Sequence, residues 1–172
     1  MTFLETPEIT IGPHAAPSPS KKGFAMSFFP EIALDTAQAE VIARGLFAVA
    51  KSDGLHEREA ALVASFWADV GGSPAALAEL ERRAAVTGAE LAAALPTEPM
   101  RLLFLKTSLL LAWADGKVSK QEHAVVDAFA KARGLAPRIA ELENAVKEYL
   151  LSHLAHLSNT TATAQVAKGM RL

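Results

Sequence analysis

One stretch of this chain is written twice. Phe47-Ala-Val-Ala-Lys-Ser-Asp53-Gly54-Leu55-His56-Glu-Arg-Glu59 returns as Leu109-Leu-Leu-Ala-Trp-Ala-Asp115-Gly116-Lys117-Val118-Ser119-Lys-Gln-Glu122, and Lys117 is the extra residue of the second copy. Beyond it the register continues without a gap through Phe66 and Phe129, Gly71 and Gly134, and Pro74 and Pro137. A repeated supersecondary unit buries its apolar face against its neighbour, so the duplication makes a helix-loop-helix the organising element. An acidic residue stands on each side of the loop in both copies.

Helical signals fill the chain from Asp35 onward. Asp35 with Gln38 has the spacing of a capping box, and Ile42, Leu46 and Val49 then fall on one face of a helix ending near Ser52. A second helix, about Glu57 to Val70, carries Leu62, Val63, Phe66 and Trp67 and stops at Gly71-Gly72. Ser73-Pro74 opens a third that runs towards Gly88, and Thr87 to Glu90 repeats the capping-box spacing for a short fourth that Pro96 ends. Thr97 caps a fifth, with Pro99 in its first turn. Leu102, Leu103, Phe104, Leu105, Leu109, Leu110 and Leu111 leave that helix apolar almost all round, which marks it as the axis of a bundle. A sixth helix spans about Lys120 to Arg133, and Pro137 opens a seventh reaching about Leu157. Trp67 and Trp113 lie within apolar helices and read as core.

The expected architecture is all-α: a single bundle of about seven helices over residues 35–157, built from two duplicated helix-loop-helix halves at about 36–87 and 98–157. Residues 1–34 form a flexible leader and an extended arm, and residues 158–172 a flexible Thr/Ala-rich tail. Within the leader, Pro13, Pro17, Pro19 and Lys21-Lys22 mark a linker, while Glu8 to Gly12 alternates briefly as a strand does. Two readings of the leader stand side by side: a disordered segment, or a motif that adds a strand to a partner's sheet edge. Phe24 to Leu34 holds Phe24, Met26, Phe28, Phe29, Ile32 and Leu34. It reads as an arm packed across the helices, or else as an apolar patch for a partner or a membrane surface.

Composition excludes several functions. The chain has no cysteine, which removes disulfide scaffolds, thiolate metal sites and cysteine nucleophiles. A net charge of -2 leaves no footprint for nucleic acid. The start lacks a basic segment followed by an apolar run, and the greasiest stretch, Leu102 to Ala114, is interrupted by Lys106 and too short to span a bilayer. A cytoplasmic protein without a transmembrane segment is the expectation.

The chemistry concentrates in the two Asp-Gly corners. In the second, Gly116 suits the left-handed helix cap, Val118 turns inward, and Ser119 with Glu122 forms a Ser-x-x-Glu capping box. Every residue there has a structural task, so a well-made corner is one reading. The other is that Asp115 and Glu122 face each other across the corner, an arrangement suited to a hard divalent cation that takes oxygen ligands. The first corner favours the second reading slightly: His56 is a poor cap, yet Asp53 and Glu59 are both kept. The candidate metal-ligating residues are therefore Asp53, Glu59, Asp115 and Glu122, with Ca²⁺ or Mg²⁺ as the expected ion. An EF-hand is excluded, because Lys51 precedes the first loop and Trp113-Ala114 the second where acidic or amide residues are needed. A zincin is excluded because Ala60 stands where the second histidine of His-Glu-x-x-His belongs. His153 and His156 are one turn apart near Glu148 and read as solvated histidines at a helix C-terminus rather than as chelators. His123 projects about 100° away from Glu122 around the helix.

The Ala114 to Glu122 stretch, its Ser52-Asp53-Gly54 counterpart and the two-copy helical layout resemble the TerB family, the tellurite-resistance protein B domain, which also occurs at the N-terminus of DjlA-type membrane-anchored co-chaperones. The resemblance covers about residues 36–157. It implies an all-helical fold, divalent metal at Asp53, Glu59, Asp115 and Glu122, and a non-enzymatic interaction module of stress-response assemblies at the inner membrane surface. The first loop departs from the family pattern in length and in having His56 where serine is usual. No His-Pro-Asp signature of a J domain occurs, so stimulation of an Hsp70 is not implied. An alternative function is an adaptor or cargo protein whose N-terminal segment docks onto a larger assembly, with purely structural corners. No catalytic residues are expected.

Overall fold

Local capping chemistry starts most of the helices where the sequence places them. In the computed structural model, which describes residues 32–155 with side chains through His153, α1 spans Thr36–Ala50. The Asp35 carboxylate accepts the Gln38 backbone N–H at 2.8 Å, and the Gln38 side chain accepts the Asp35 N–H at 3.0 Å. Helix α2 runs Glu57–Asp69, α3 Pro74–Arg82, α4 Gly88–Ala94, α5 Glu98–Ala112, α6 Lys120–Ala132 and α7 Ile139–Ala155. All regular structure among the described residues is helical.

Apolar faces then decide the packing. Ile42, Leu46 and Val49 of α1 are fully buried, together with Phe104, Leu105, Leu109 and Leu111 of α5. Helix α5 packs against α1, α2, α6 and α7, which makes it the central axis that its apolar sequence foreshadows. A T-shaped pair, Phe104 on Phe129 with centroids 5.4 Å apart, ties it to α6. Trp67 and Trp113 are both buried, Trp67 against Ala39, Ala43 and Leu80. The Lys147 ammonium sits 4.7 Å from the centre of the Trp113 ring.

The third helix is shorter than its sequence signals. It stops at Arg82, and residues 83–87 leave the helix because tertiary contacts outbid local propensity. Val86 drops into the core, Arg44 donates to the Ala84 carbonyl at 2.9 Å, and Arg83 pairs with Glu40 at 3.1 Å. Pro137 sits in a single 3-10 turn, Ala136–Arg138, ahead of α7. Thr97 precedes α5 as its cap residue without a side-chain cap bond. The leader, the segment Phe24 to Glu31 of the arm, His156 and the tail lie outside the described residues. Leu34, the last apolar residue of the arm, packs against the main core.

Candidate acidic cavity

Each corner is built by a glycine in a backbone conformation that other residues avoid. Gly54 follows α1 with φ 112° and Gly116 follows α5 with φ 89°, and both turn the chain sharply into the next helix. In the second corner Ser119 and Glu122 close the expected box. The Ser119 hydroxyl accepts the Glu122 N–H at 3.1 Å, and the Glu122 carboxylate accepts the Ser119 N–H at 2.7 Å. Asp115 accepts the Lys117 N–H at 3.2 Å, a local turn that holds the loop. In the first corner, Glu59 reaches back to the His56 N–H at 2.9 Å.

These caps aim two carboxyls at one another. Asp53, Glu59, Asp115 and Glu122 all line a single cavity of about 290 Å³, together with His56, Lys117, Val118 and Ser119. Glu59 and Glu122 form its buried floor, at 4% and 3% exposure, while Asp53 and Asp115 are exposed at its mouth. Each glutamate has one oxygen engaged by its own helix cap, and Glu122 is in addition hydrogen-bonded to Glu59. Burial, the Glu59 bond and the nearby Asp53 charge outweigh the two Ser119 bonds, and they push the Glu122 carboxyl up to about 7. A protonated Glu122 donating to Glu59 is the form this geometry stabilises near neutral pH.

Glu122 thus interacts across the two corners, through its hydrogen bond with Glu59 and through the charge of Asp53. Sequence reasoning placed the four acids in two loops; the fold gathers them around one space. It missed the role of His56, Lys117 and Ser119 as cavity wall. The available signal was that Glu59 and Glu122 occupy the same capping position of their helices, so any packing that sets the two first turns together brings them face to face.

The donor set fits a hard divalent cation in kind, being carboxylate and hydroxyl oxygen except for His56. Among the described residues, however, no group of three or more His, Asp or Glu side chains is arranged as a ready ligand set. Glu59 and Glu122 are held instead by the helix caps and by the bond between them. Outside the cavity, His123 pairs with Asp127 at 3.5 Å on the outer face of α6, as its helical position predicts. His153 stacks on Tyr149, with centroids 5.9 Å apart.

No protein-family description, no curated protein and no solved structure matches the chain. No helix among the described residues is long and apolar enough to cross a membrane.

Proposed function

We propose that the chain is a non-enzymatic helical module whose two acidic corners act together as one cation-responsive site. The observation that carries this reading is the burial of Glu59 and Glu122 face to face in a cavity whose mouth holds Asp53 and Asp115. Two buried carboxyls cannot both ionise cheaply side by side. Near neutral pH a proton relieves the repulsion, and a divalent cation is the other chemical species able to do so. Glu59 and Glu122 would hold the ion from below, with Asp53, Asp115 and the Ser119 hydroxyl within the same cavity. When bound, the ion would supply the positive charge that otherwise has to come from a proton. Because the Ser119 and His56 N–H groups anchor the glutamates, that charge would act on both corners and stiffen the junction of α1–α2 with α5–α6.

The reading agrees with what the resemblance to TerB domains implies, namely a stress-response interaction module with a protein partner.

Calorimetric titration of Ca²⁺, Mg²⁺ and Mn²⁺ into chelator-stripped protein tests the proposal. Micromolar binding, accompanied by release of a proton near pH 6.5 and abolished in Asp115→Ala/Glu122→Ala, is the expected result. Absence of heat with all three ions, together with unchanged melting, would reduce the corners to helix caps.

A further inference from the structure

A second space in the fold carries an inference independent of the acids. Helices α2 and α7 both flank α5 but scarcely touch each other, and between them lies a groove of about 310 Å³. Its walls are Leu62 and Phe66 of α2, Leu103 and Leu110 of α5, and Tyr149 of α7, with Asp69 at one end. Leu62, Phe66, Leu103 and Leu110 are left only half-buried by the described helices. The rest of the described body is well closed, since Val70, at 38%, is its one exposed large hydrophobic residue.

We propose that residues 24–29 of this chain, Phe24-Ala-Met-Ser-Phe-Phe29, fold back into the groove between α2 and α7. Three observations point to this occupant. The first is position. Trp67 packs against Ala39 and Ala43, so the C-terminal end of α2, where Asp69 opens the groove, lies beside the N-terminal half of α1, where the chain enters. The second is reach. Leu46 on the groove wall lies ~15 Å along α1 from Thr36, at ~1.5 Å per residue. Residues 24–29 precede Thr36 by seven to twelve positions, enough chain for ~23–40 Å at ~3.3 Å per residue. The third is fit. A dry apolar cavity of ~150 Å³ accepts a benzene ring, so this groove has room for two of the three phenylalanines.

The absence of cysteine from this sequence allows a direct test in the 172-residue chain. Phe28→Cys is paired with Ser65→Cys, an exposed position on the groove wall. The control pairs Phe28→Cys with Val125→Cys, which lines a separate cleft beside α3 and α6. Intramolecular tethering holds two groups at millimolar effective concentration. A short bis-maleimide should therefore link residues 28 and 65 at least tenfold faster than 28 and 125, at a rate independent of protein concentration. Equal rates for the two pairs would overturn the proposal. So would a concentration-dependent dimer, which would assign the groove to the arm of a second copy. Phe28→Ser/Phe29→Ser offers a second measurement without a cross-link: fluorescence of an apolar dye should rise several-fold as the groove opens, and an unchanged signal counts against it.

Discussion

Replacing Glu122 with glutamine isolates the energetic consequence of the buried pair. The Glu122 carboxyl rises from an ordinary value of 4.5 to about 7 in the folded chain. Between those values the folded state binds a proton that the unfolded chain has released, so stability falls as pH rises across this window. The contribution is complete below about pH 4.5 and lost as pH passes through 7. Each pKa unit is worth about 1.4 kcal/mol, which places the upper bound near 3.5 kcal/mol. Solvent at the Asp53 and Asp115 mouth of the cavity screens part of this interaction, and about 2 kcal/mol is the expected span.

Glutamine keeps both bonds that matter. Its carbonyl oxygen can accept the Ser119 N–H, and its amide can donate to Glu59 at any pH. Denaturant unfolding of wild type and Glu122→Gln in chelator, at half-unit steps from pH 4.5 to 8.5, measures the effect. The difference between the two curves cancels the contribution of carboxylates elsewhere, such as Glu79 and Glu90, whose ion pair or helix-cap bonds hold them low. The variant should gain about 2 kcal/mol on wild type between the acid and alkaline ends. Parallel curves would refute the reasoning, because they would mean that Glu122 titrates alike in the folded and unfolded states.

Five further substitutions follow from the packing and the caps. Phe104→Ala should cost about 3–5 kcal/mol by chemical denaturation, since the ring is fully enclosed between α1, α5 and α6. Gly45→Ala places a methyl 2.6 Å from a Phe104 ring carbon, and the overpacking of about 1–3 kcal/mol should exceed the roughly 1 kcal/mol gained in helix propensity. A raised melting temperature for that variant would contradict the close packing of α1 on α5. Gly116→Ala forces a side chain into the left-handed region and should lower stability by about 1–2 kcal/mol in the same assay. Ser119→Ala removes a side-chain cap and should lose about 1 kcal/mol, whereas His56→Ser supplies the missing cap hydroxyl and should gain about 0.5–1 kcal/mol; a gain for the first or a loss for the second would discard the capping account.

Much of the helical layout is legible in the sequence because its signals are local. Asp35 with Gln38, Thr87 with Glu90 and Ser119 with Glu122 each hydrogen-bond within one turn, and each marks a helix start that the structure retains. The apolar faces of α1 and α5 are readable for a related reason, since a 3.6-residue period reports burial without reference to the partner. Reading failed where a distant residue intervened. The Arg82 end of α3 depends on Arg44 and Glu40, which lie some forty positions earlier and make no local pattern.

The sequence by itself determines the kinds of chemistry present: four acids in two like corners, oxygen donors without thiolate, and glutamates tied to their own helix N-termini. Those features rest on spacing within a few residues. Only the tertiary structure decides that Glu59 and Glu122 share one buried space, that Asp53 and Asp115 stay at its mouth, and that a groove opens between α2 and α7. Each of these depends on how α1–α2 sets against α5–α6 and α7. That relation arises from the summed burial of many side chains, and no short stretch of the chain encodes it.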